Sequence, residues 1–216
     1  MPKGFTEREK ELIRSRLLEA GFKQFSTYGL QKTNVEELAS AAGISKGAFY
    51  IFYDSKETLF MDVMEQVEQR FRGEIISAID LPGPSARLRL FNVLKKAFEL
   101  LEAIPILQFI TGRDFDVLFR RIPADIFKEH MASDRRFFSE LVEHCRRSGI
   151  PIRAEPAEIV SLLYPLVLTV LYKDSFIGSS FGASIDLHLE LVAAYCLGEV
   201  ETRLQTPASV EKEKLK

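Results

Sequence analysis

Apolar side chains recur at intervals of three and four residues along most of the chain, the spacing that places them on one face of an α-helix. No stretch alternates apolar and polar residues in the manner of a strand. The pattern predicts an all-α fold, with glycine or proline residues separating most of the helices. The predicted helices lie at about 6–28, 35–42, 46–53, 56–80, 85–103, 106–121, 123–148, 156–177 and 184–204.

Capping patterns support the first four of these helices. Thr6 followed by Glu9 has the spacing of a capping box, in which the two side chains satisfy each other's free backbone amides. Gly29 suits the left-handed position that commonly closes a helix. Asn34, Ser45 and Ser55 stand where the next three helices begin, and each can accept a hydrogen bond from the first helical turn.

Residues 33–50 predict two short helices joined by a tight turn at Gly43. Their small inner face consists of Val35, Leu38, Ala39, Ile44 and Phe49. A helix-turn-helix is built in this way, and its second helix enters the major groove of DNA. By periodicity alone, a generic helical hairpin explains part of the pattern equally well.

The segments LLEAGFKQF, AGISKG and SKETLF, with the aromatic pair Phe49-Tyr50, resemble the TetR family of bacterial transcriptional regulators. The resemblance covers residues 17–60, or 44 of the 216 residues. It implies a helix-turn-helix DNA-binding domain at 1–55 and a larger helical domain at 56–206 that binds an effector and dimerises. Residues 207–216 are predicted to form a polar tail.

The resemblance also implies which residues contact DNA: Thr33, Ser45, Lys46, Gly47, Ala48, Tyr50 and Lys56. Of these, Thr33, Tyr50 and Lys56 match phosphate contacts, whereas Lys46 to Ala48 match the leading edge of the recognition helix. Three positions depart from the family pattern: Ala48 replaces a common Thr, Ile51 replaces a common His or Tyr, and Tyr53 replaces a common Phe. Base preference therefore does not carry over from relatives.

The charge distribution agrees with a polyanionic partner at the N-terminal end. The whole chain has 29 basic and 31 acidic residues, for a net charge of −2. Residues 1–56 hold nine basic and seven acidic side chains, so they carry +2 and the remainder carries −4. The first quarter is therefore where we expect double-stranded DNA to bind.

Several other classes of protein are disfavoured. Cys145 and Cys196 make no CxxC pair, which indicates a reduced, cytoplasmic setting. The longest uncharged apolar run, Ile159–Tyr172, is shorter than the ~20 residues of a membrane span, and no secretory signal is visible. We therefore expect no membrane partner.

Catalytic motifs are missing from the sequence. His130 and His144 lie ~21 Å apart along a helix, too far to share a metal ion. The sequence contains no HExxH motif, phosphate-binding loop or nucleophile elbow. The sequence thus predicts no enzyme, no metal site and no cofactor.

The larger domain is rich in phenylalanine, which favours either a packed core or a cavity for a small apolar or aromatic effector. The candidate pocket residues are Phe98, Phe109, Phe115 and Tyr164. The last two helices are apolar enough to form a four-helix bundle in a homodimer, although packing within one chain is the alternative. The candidate interface residues are Leu163, Val167, Ile185, Leu189, Val192 and Cys196.

Together these features predict a homodimeric transcriptional regulator, a repressor that a small effector releases from a palindromic operator. The main alternative is a helical protein that binds a small molecule or a partner, with a helix-turn-helix that no longer reads DNA. Ala48 and Ile51 motivate that alternative. A small cytoplasmic enzyme is a third possibility, which the missing catalytic residues disfavour.

Overall fold

The computed structural model describes residues 5–109, 120–122, 124–171 and 181–200, and within these ranges the chain contains helices and no strand. The α-helices are α1 (Glu7–Lys32), α2 (Val35–Ala41), α3 (Lys46–Phe49), α4 (Lys56–Ile79), α5 (Ala86–Ala103), α6 (Ala124–Arg147), α7 (Pro156–Leu171) and α8 (Phe181–Cys196). A 3-10 helix spans Pro105–Phe109 after α5. The predicted all-α fold is confirmed.

The predicted capping residues cap the N-terminal ends of their helices. The backbone N–H of Thr6 donates to a Glu9 carboxylate oxygen at 2.7 Å, and the Glu9 N–H donates back to the Thr6 hydroxyl at 3.3 Å. The hydroxyl of Ser45 accepts from the Ala48 N–H at 3.2 Å. The side chains of Asn34 and Ser55 cap α2 and α4 in the same way.

Gly29 interrupts α1 with a φ of 74° and a ψ of 174°, a conformation reserved almost entirely for glycine. The helix is broken at the predicted residue, but the chain winds through one more turn before Thr33. The Thr33 hydroxyl donates to the Gly29 carbonyl at 2.7 Å, which ties the end of this last turn to the residue at the kink.

Two predicted helices differ in form. The helix predicted at 106–121 begins as the 3-10 helix, and residues 110–119 lie outside the described ranges. The recognition helix predicted at 46–53 is regular only as far as Phe49. Beyond it, the N–H groups of Ile51 and Phe52 donate to carbonyls three residues back, so the helix tightens into a turn.

The C-terminal helices also have different bounds from those predicted. Helix α8 begins at Phe181 and ends at Cys196, eight residues before the predicted end, and Gly198 follows with a φ of 72°. The Cys196 carbonyl accepts from the Arg153 N–H at 2.8 Å, which ties the end of α8 to the segment before α7. None of the helices in the described ranges is long and apolar enough to cross a membrane.

Two hydrophobic cores meet along α4. Its first half contributes Leu59 to Met64 to a core shared with α1, α2 and α3, and Ile106 of the 3-10 helix joins the same core. Its second half contributes Ile75 and Ile79 to a core shared with α5 to α8. A domain boundary after residue 55 remains an expectation, because the packing divides within α4 rather than before it.

We expect Gly29→Ala to lower the free energy of unfolding by about 1–3 kcal/mol, because alanine strains the backbone at this φ and ψ. Gly73→Ala is the matched control. Gly73 lies inside α4, and a Cβ added to it would have no neighbour within 4 Å, so alanine there should stabilise the helix by about 0.5–1 kcal/mol. Urea unfolding of both variants checks the sign, and equal destabilisation would contradict the strain at Gly29.

Candidate nucleic-acid interface

Helices α2 and α3 form the predicted helix-turn-helix. Gly43, with a φ of 76°, lies in the turn, and the Ile44 N–H donates to the Ala39 carbonyl at 3.0 Å. Leu38, Ala39 and Phe49 are almost completely buried against α1 and α4. The inner face therefore holds the two short helices in a fixed orientation, which neither could maintain as an isolated peptide.

The outer face of α3 is open to solvent. Ser45, Lys46 and Gly47 are exposed, whereas Ala48 is half-buried. The aromatic residues that follow divide between the two faces. Phe49 and Tyr53 are buried, and burial with the nearby Asp62 carboxylate raises the pKa of Tyr53. Tyr50, by contrast, keeps 51% of its surface exposed.

Nothing within the chain requires the residue at position 47 to be glycine. A Cβ at this position would meet only the Ser45 hydroxyl, at 4.0 Å, and the backbone is not in the left-handed region. The helix would be more stable with alanine there. Glycine at the front of α3 instead leaves a bare backbone surface, which suits close approach by another molecule.

The side chains of Thr33 and Lys56 are both engaged in hydrogen bonds within the chain. Thr33 is 3% exposed and its hydroxyl donates to Gly29, so in this conformation its side chain is not presented to a phosphate. The Lys56 ammonium donates to the carbonyls of Gln31 at 2.9 Å and Thr33 at 2.8 Å. Both residues brace the junction of α1 and α4, and their contacts with DNA remain predictions.

Ile51 is the residue on this face that the sequence pattern did not select. Its side chain is 64% exposed and lies beside Tyr50, just beyond α3. The sequence marked Ile51 only as a departure from the family pattern. A methyl-rich side chain at this position is suited to apolar contact with a thymine methyl group.

Of the four residues proposed for the effector pocket, the structure describes the side chains of Phe98 and Tyr164. Phe98 is 5% exposed and packs in the core of the larger domain, whereas Tyr164 is 61% exposed on the outer side of α7. Tyr164 is therefore corrected to a surface position. Phe115 and the side chain of Phe109 lie outside the described part of the chain.

An open groove of about 370 Å³ lies between α1 and α4, with Phe22, Val67 and Arg70 among its walls. Neither of the two described pocket residues, Phe98 and Tyr164, lines this groove.

The interface residues predicted on α8 face the interior of their own chain. Ile185, Leu189, Val192 and Cys196 are buried in the core of their own chain. Burial raises the pKa of the Cys196 thiol to about 12. Leu163 and Val167 of α7 are half-buried against the same core. Among the described side chains of the two helices, the large apolar ones that remain exposed are Val160, Leu162, Tyr164, Leu168, Leu187 and Leu191.

Comparisons with known proteins concern mainly this N-terminal region. A family model described as bacterial regulatory proteins, tetR family, matches residues 17–63. The uncharacterised HTH-type transcriptional regulator YuxN of Bacillus subtilis is 40% identical over 80 residues, which make up 37% of this chain and 26% of YuxN. The HTH-type transcriptional regulator AcrR of Shigella flexneri is 33% identical over 70 residues, 32% of each chain. The matched segments thus span about a third or less of these relatives.

The structural likeness extends further than the sequence likeness. A TetR-family transcriptional regulator from Mesorhizobium loti superposes with a TM-score of 0.62 over 90% of this chain and 98% of its own. Its sequence identity is only 18%. The helical fold of the larger domain is therefore shared with a protein whose sequence has diverged widely.

We expect Lys56→Ala to lower the free energy of unfolding by about 1 kcal/mol, because it removes two charge-assisted hydrogen bonds to backbone carbonyls. Lys46→Ala, which changes an exposed lysine on α3, should stay within about 0.5 kcal/mol of the unchanged chain. Thermal unfolding monitored by circular dichroism compares the two. Equal stability of the two variants would show that the hydrogen bonds of Lys56 do not stabilise the fold.

Proposed function

Because the chain belongs to the TetR family of bacterial regulatory proteins through the DNA-binding domain at residues 17–63, we propose that it is a homodimeric, ligand-responsive repressor. In this proposal each protomer inserts α3 into the major groove of one half of a palindromic operator. A small apolar or aromatic effector, bound in the larger domain, then releases the dimer from DNA.

The exposed front of α3 is the observation that carries the DNA-binding part of the proposal. Lys46 at the start of α3 and Tyr50 directly after its end are both exposed, and lysine and tyrosine are suited to fixing a protein on phosphates. Gly47 between them has no neighbour that requires glycine. A phosphate backbone or base edge approaching this bare stretch of α3 accounts for the glycine.

A second copy of the chain accounts for the apolar outer face of α7 and α8. Tyr164 and Leu168 are exposed on α7, and Leu187 and Leu191 are exposed one turn apart on α8. Large apolar side chains concentrated on two neighbouring helices are typical of a protein interface. A two-fold symmetric dimer formed there would present two copies of α3, which is the arrangement that a palindromic operator requires.

The packing between the two cores supports a route from effector to DNA. Ile106, in the segment that follows α5, is fully buried in the core of the helix-turn-helix domain. The Arg121 guanidinium donates to the buried Glu57 carboxylate at 3.0 Å, at the first turn of α4. Ile106 and Arg121 lie on either side of residues 110–119 in the sequence. In this proposal, a rearrangement of the larger domain therefore acts on the start of α4 through the contact between Arg121 and Glu57.

The energetic basis of release is thermodynamic linkage. An effector weakens DNA binding only to the extent that it prefers a conformation in which the two α3 helices no longer match the operator. A coupling of about 1–3 kcal/mol corresponds to a change in affinity of about 5–150-fold. Rotation of α4, which belongs to both cores, is the movement that we propose for this change.

Selection of duplexes from a random library by the full chain tests the proposal. We expect a palindromic sequence with half-sites about one helical turn apart. That operator can then be used to screen effectors by loss of binding. Recovery of no enriched sequence by folded, dimeric protein would reject the regulator and favour a helical protein whose helix-turn-helix no longer reads DNA.

We expect Lys46→Ala with Tyr50→Ala to weaken operator binding at least about tenfold at physiological salt. A dimer loses two Lys46 side chains, so the slope of log affinity against log salt should fall in magnitude by about two units. Fluorescence anisotropy over a salt series measures both quantities. Lys128→Ala, an exposed lysine on α6, is the control and should bind like the unchanged chain.

Gly47→Ala separates DNA contact from folding. The variant should be at least as stable as the unchanged chain but should bind the operator more weakly, because the added methyl group occupies the surface that approaches DNA. Full operator affinity in both this variant and the Lys46 and Tyr50 double variant would reject α3 as the recognition helix.

We expect Leu187→Lys with Leu191→Lys to convert the dimer into a monomer at micromolar concentration, because four buried charges would face each other across the two-fold axis. Leu81→Lys is the control, since Leu81 is similarly exposed but follows α4 and belongs to neither α7 nor α8. Sedimentation equilibrium measures the mass of each variant. A dimer that survives the double substitution would place the interface elsewhere.

A further inference from the structure

Glu68 and Arg72 of α4 face His130 and Asp134 of α6. The four side chains lie between the helix that joins the two cores and a helix of the larger domain. Each is about three-quarters buried or slightly less, with exposed fractions of 22% to 32%. No contact proposed above for DNA, effector or dimer involves this cluster.

Three atoms of the cluster surround a common point. His130 Nε2 lies 3.5 Å from Glu68 Oε1 and 3.7 Å from Asp134 Oδ2, and all three donor atoms lie within 4.8 Å of one another. These distances are longer than ordinary hydrogen bonds of about 2.7–3.2 Å. The two distances from His130 Nε2 are close to the separation between two ligand atoms of a tetrahedral zinc ion, which is about 3.4 Å for bonds of about 2.0–2.1 Å.

Arg72 occupies the opposite side of the same carboxylates. Its guanidinium donates to Asp134 Oδ1 at 2.6 Å and to Glu68 Oε2 at 3.4 Å, and it uses neither of the oxygens that face His130. Ser133 Oγ accepts a further hydrogen bond from it at 3.1 Å. The Phe137 ring, 4.7 Å away, also stacks against the guanidinium. Arg72 thus fixes the orientation of both carboxylates and leaves the point between them and His130 open.

The charge and chemistry of this set suit a divalent cation. Two carboxylates and one guanidinium leave a net charge of −1 when the imidazole is neutral, and a metal ion requires the imidazole in that form. One imidazole nitrogen with two carboxylate oxygens is a ligand set used by zinc and other first-row transition metals. Outer hydrogen bonds to ligating carboxylates, such as those from Arg72, are a regular feature of metal sites.

We propose that Glu68, His130 and Asp134 bind a divalent transition-metal ion of the zinc class, which joins α4 to α6. The fourth position is left for water or an added ligand. The sequence pattern does not bring this site together, because Glu68 is distant in sequence from His130 and Asp134. The competing explanation is a protonated His130 that forms ion pairs with both carboxylates and binds no metal.

Titration of the full chain with Co²⁺, followed by displacement with Zn²⁺, tests the site. We expect one ion per chain and a visible absorption band that Zn²⁺ removes. His130→Gln and Asp134→Asn should each lower the affinity at least about tenfold, the loss usual even for weaker perturbations of a metal site. This readout does not involve DNA, so the site and the proposed function can fail separately.

His144→Gln is the matched control. His144 Nε2 lies 2.8 Å from Asp80 Oδ1, a direct pair between one histidine and one carboxylate, and among the described residues this pair belongs to no group of three ligands. The variant should bind Co²⁺ as the unchanged chain does. Equal affinity in the His130, Asp134 and His144 variants, or no stoichiometric uptake by the unchanged chain, would overturn the proposal.

X-ray absorption of the unmutated, zinc-loaded chain gives an answer even if a variant does not fold. We expect a first shell of nitrogen and oxygen at about 2.0–2.2 Å with one imidazole. A sulfur neighbour at about 2.3 Å would mean that Cys145 or Cys196 holds the metal, and it would overturn the assignment.

Discussion

The architecture depends on α4, a single helix whose apolar residues must be buried at both of its ends. Leu59 to Met64 require the helix-turn-helix domain and Ile75 with Ile79 require the larger domain, so neither core is complete without this helix. An α-helix resists bending because its backbone hydrogen bonds hold each turn to the next. The orientation of α3 is consequently fixed by how α4 sits in the larger domain.

Polar contacts secure both ends of this helix. At its start, the Lys56 ammonium donates to two carbonyls at the end of α1. At its end, the Arg89 guanidinium donates to the carbonyls of Ile79, Leu81 and Ser148, which joins the last turn of α4 to the end of α6. Carbonyls at helix ends lack intrahelical partners, so these cationic side chains stabilise the helix and its attachment to its neighbours together.

The burial of the α8 residues predicted for the dimer face has a physical explanation. Helix α8 carries apolar residues on two sides, and the stripe with the more regular spacing, from Ile185 to Cys196, is the one buried in its own chain. Leu187 and Leu191 form the other side. Periodicity identifies which residues share a face but not which face the rest of the chain covers. The exposure of Tyr164 on α7, a residue predicted for the pocket, has the same explanation.

The sequence by itself determined what depends on neighbouring residues: most of the helices, their caps, the positive φ of Gly29, the turn at Gly43 and the place of Phe49 on the inner face. These features follow from backbone geometry and from spacing within one or two helical turns. Tertiary structure alone decided that Thr33 and Lys56 brace α1 against α4, which side of α8 is exposed, and that Glu68 meets His130 and Asp134. Those outcomes join residues far apart in the chain, and only the packing of the helices sets which of them come together.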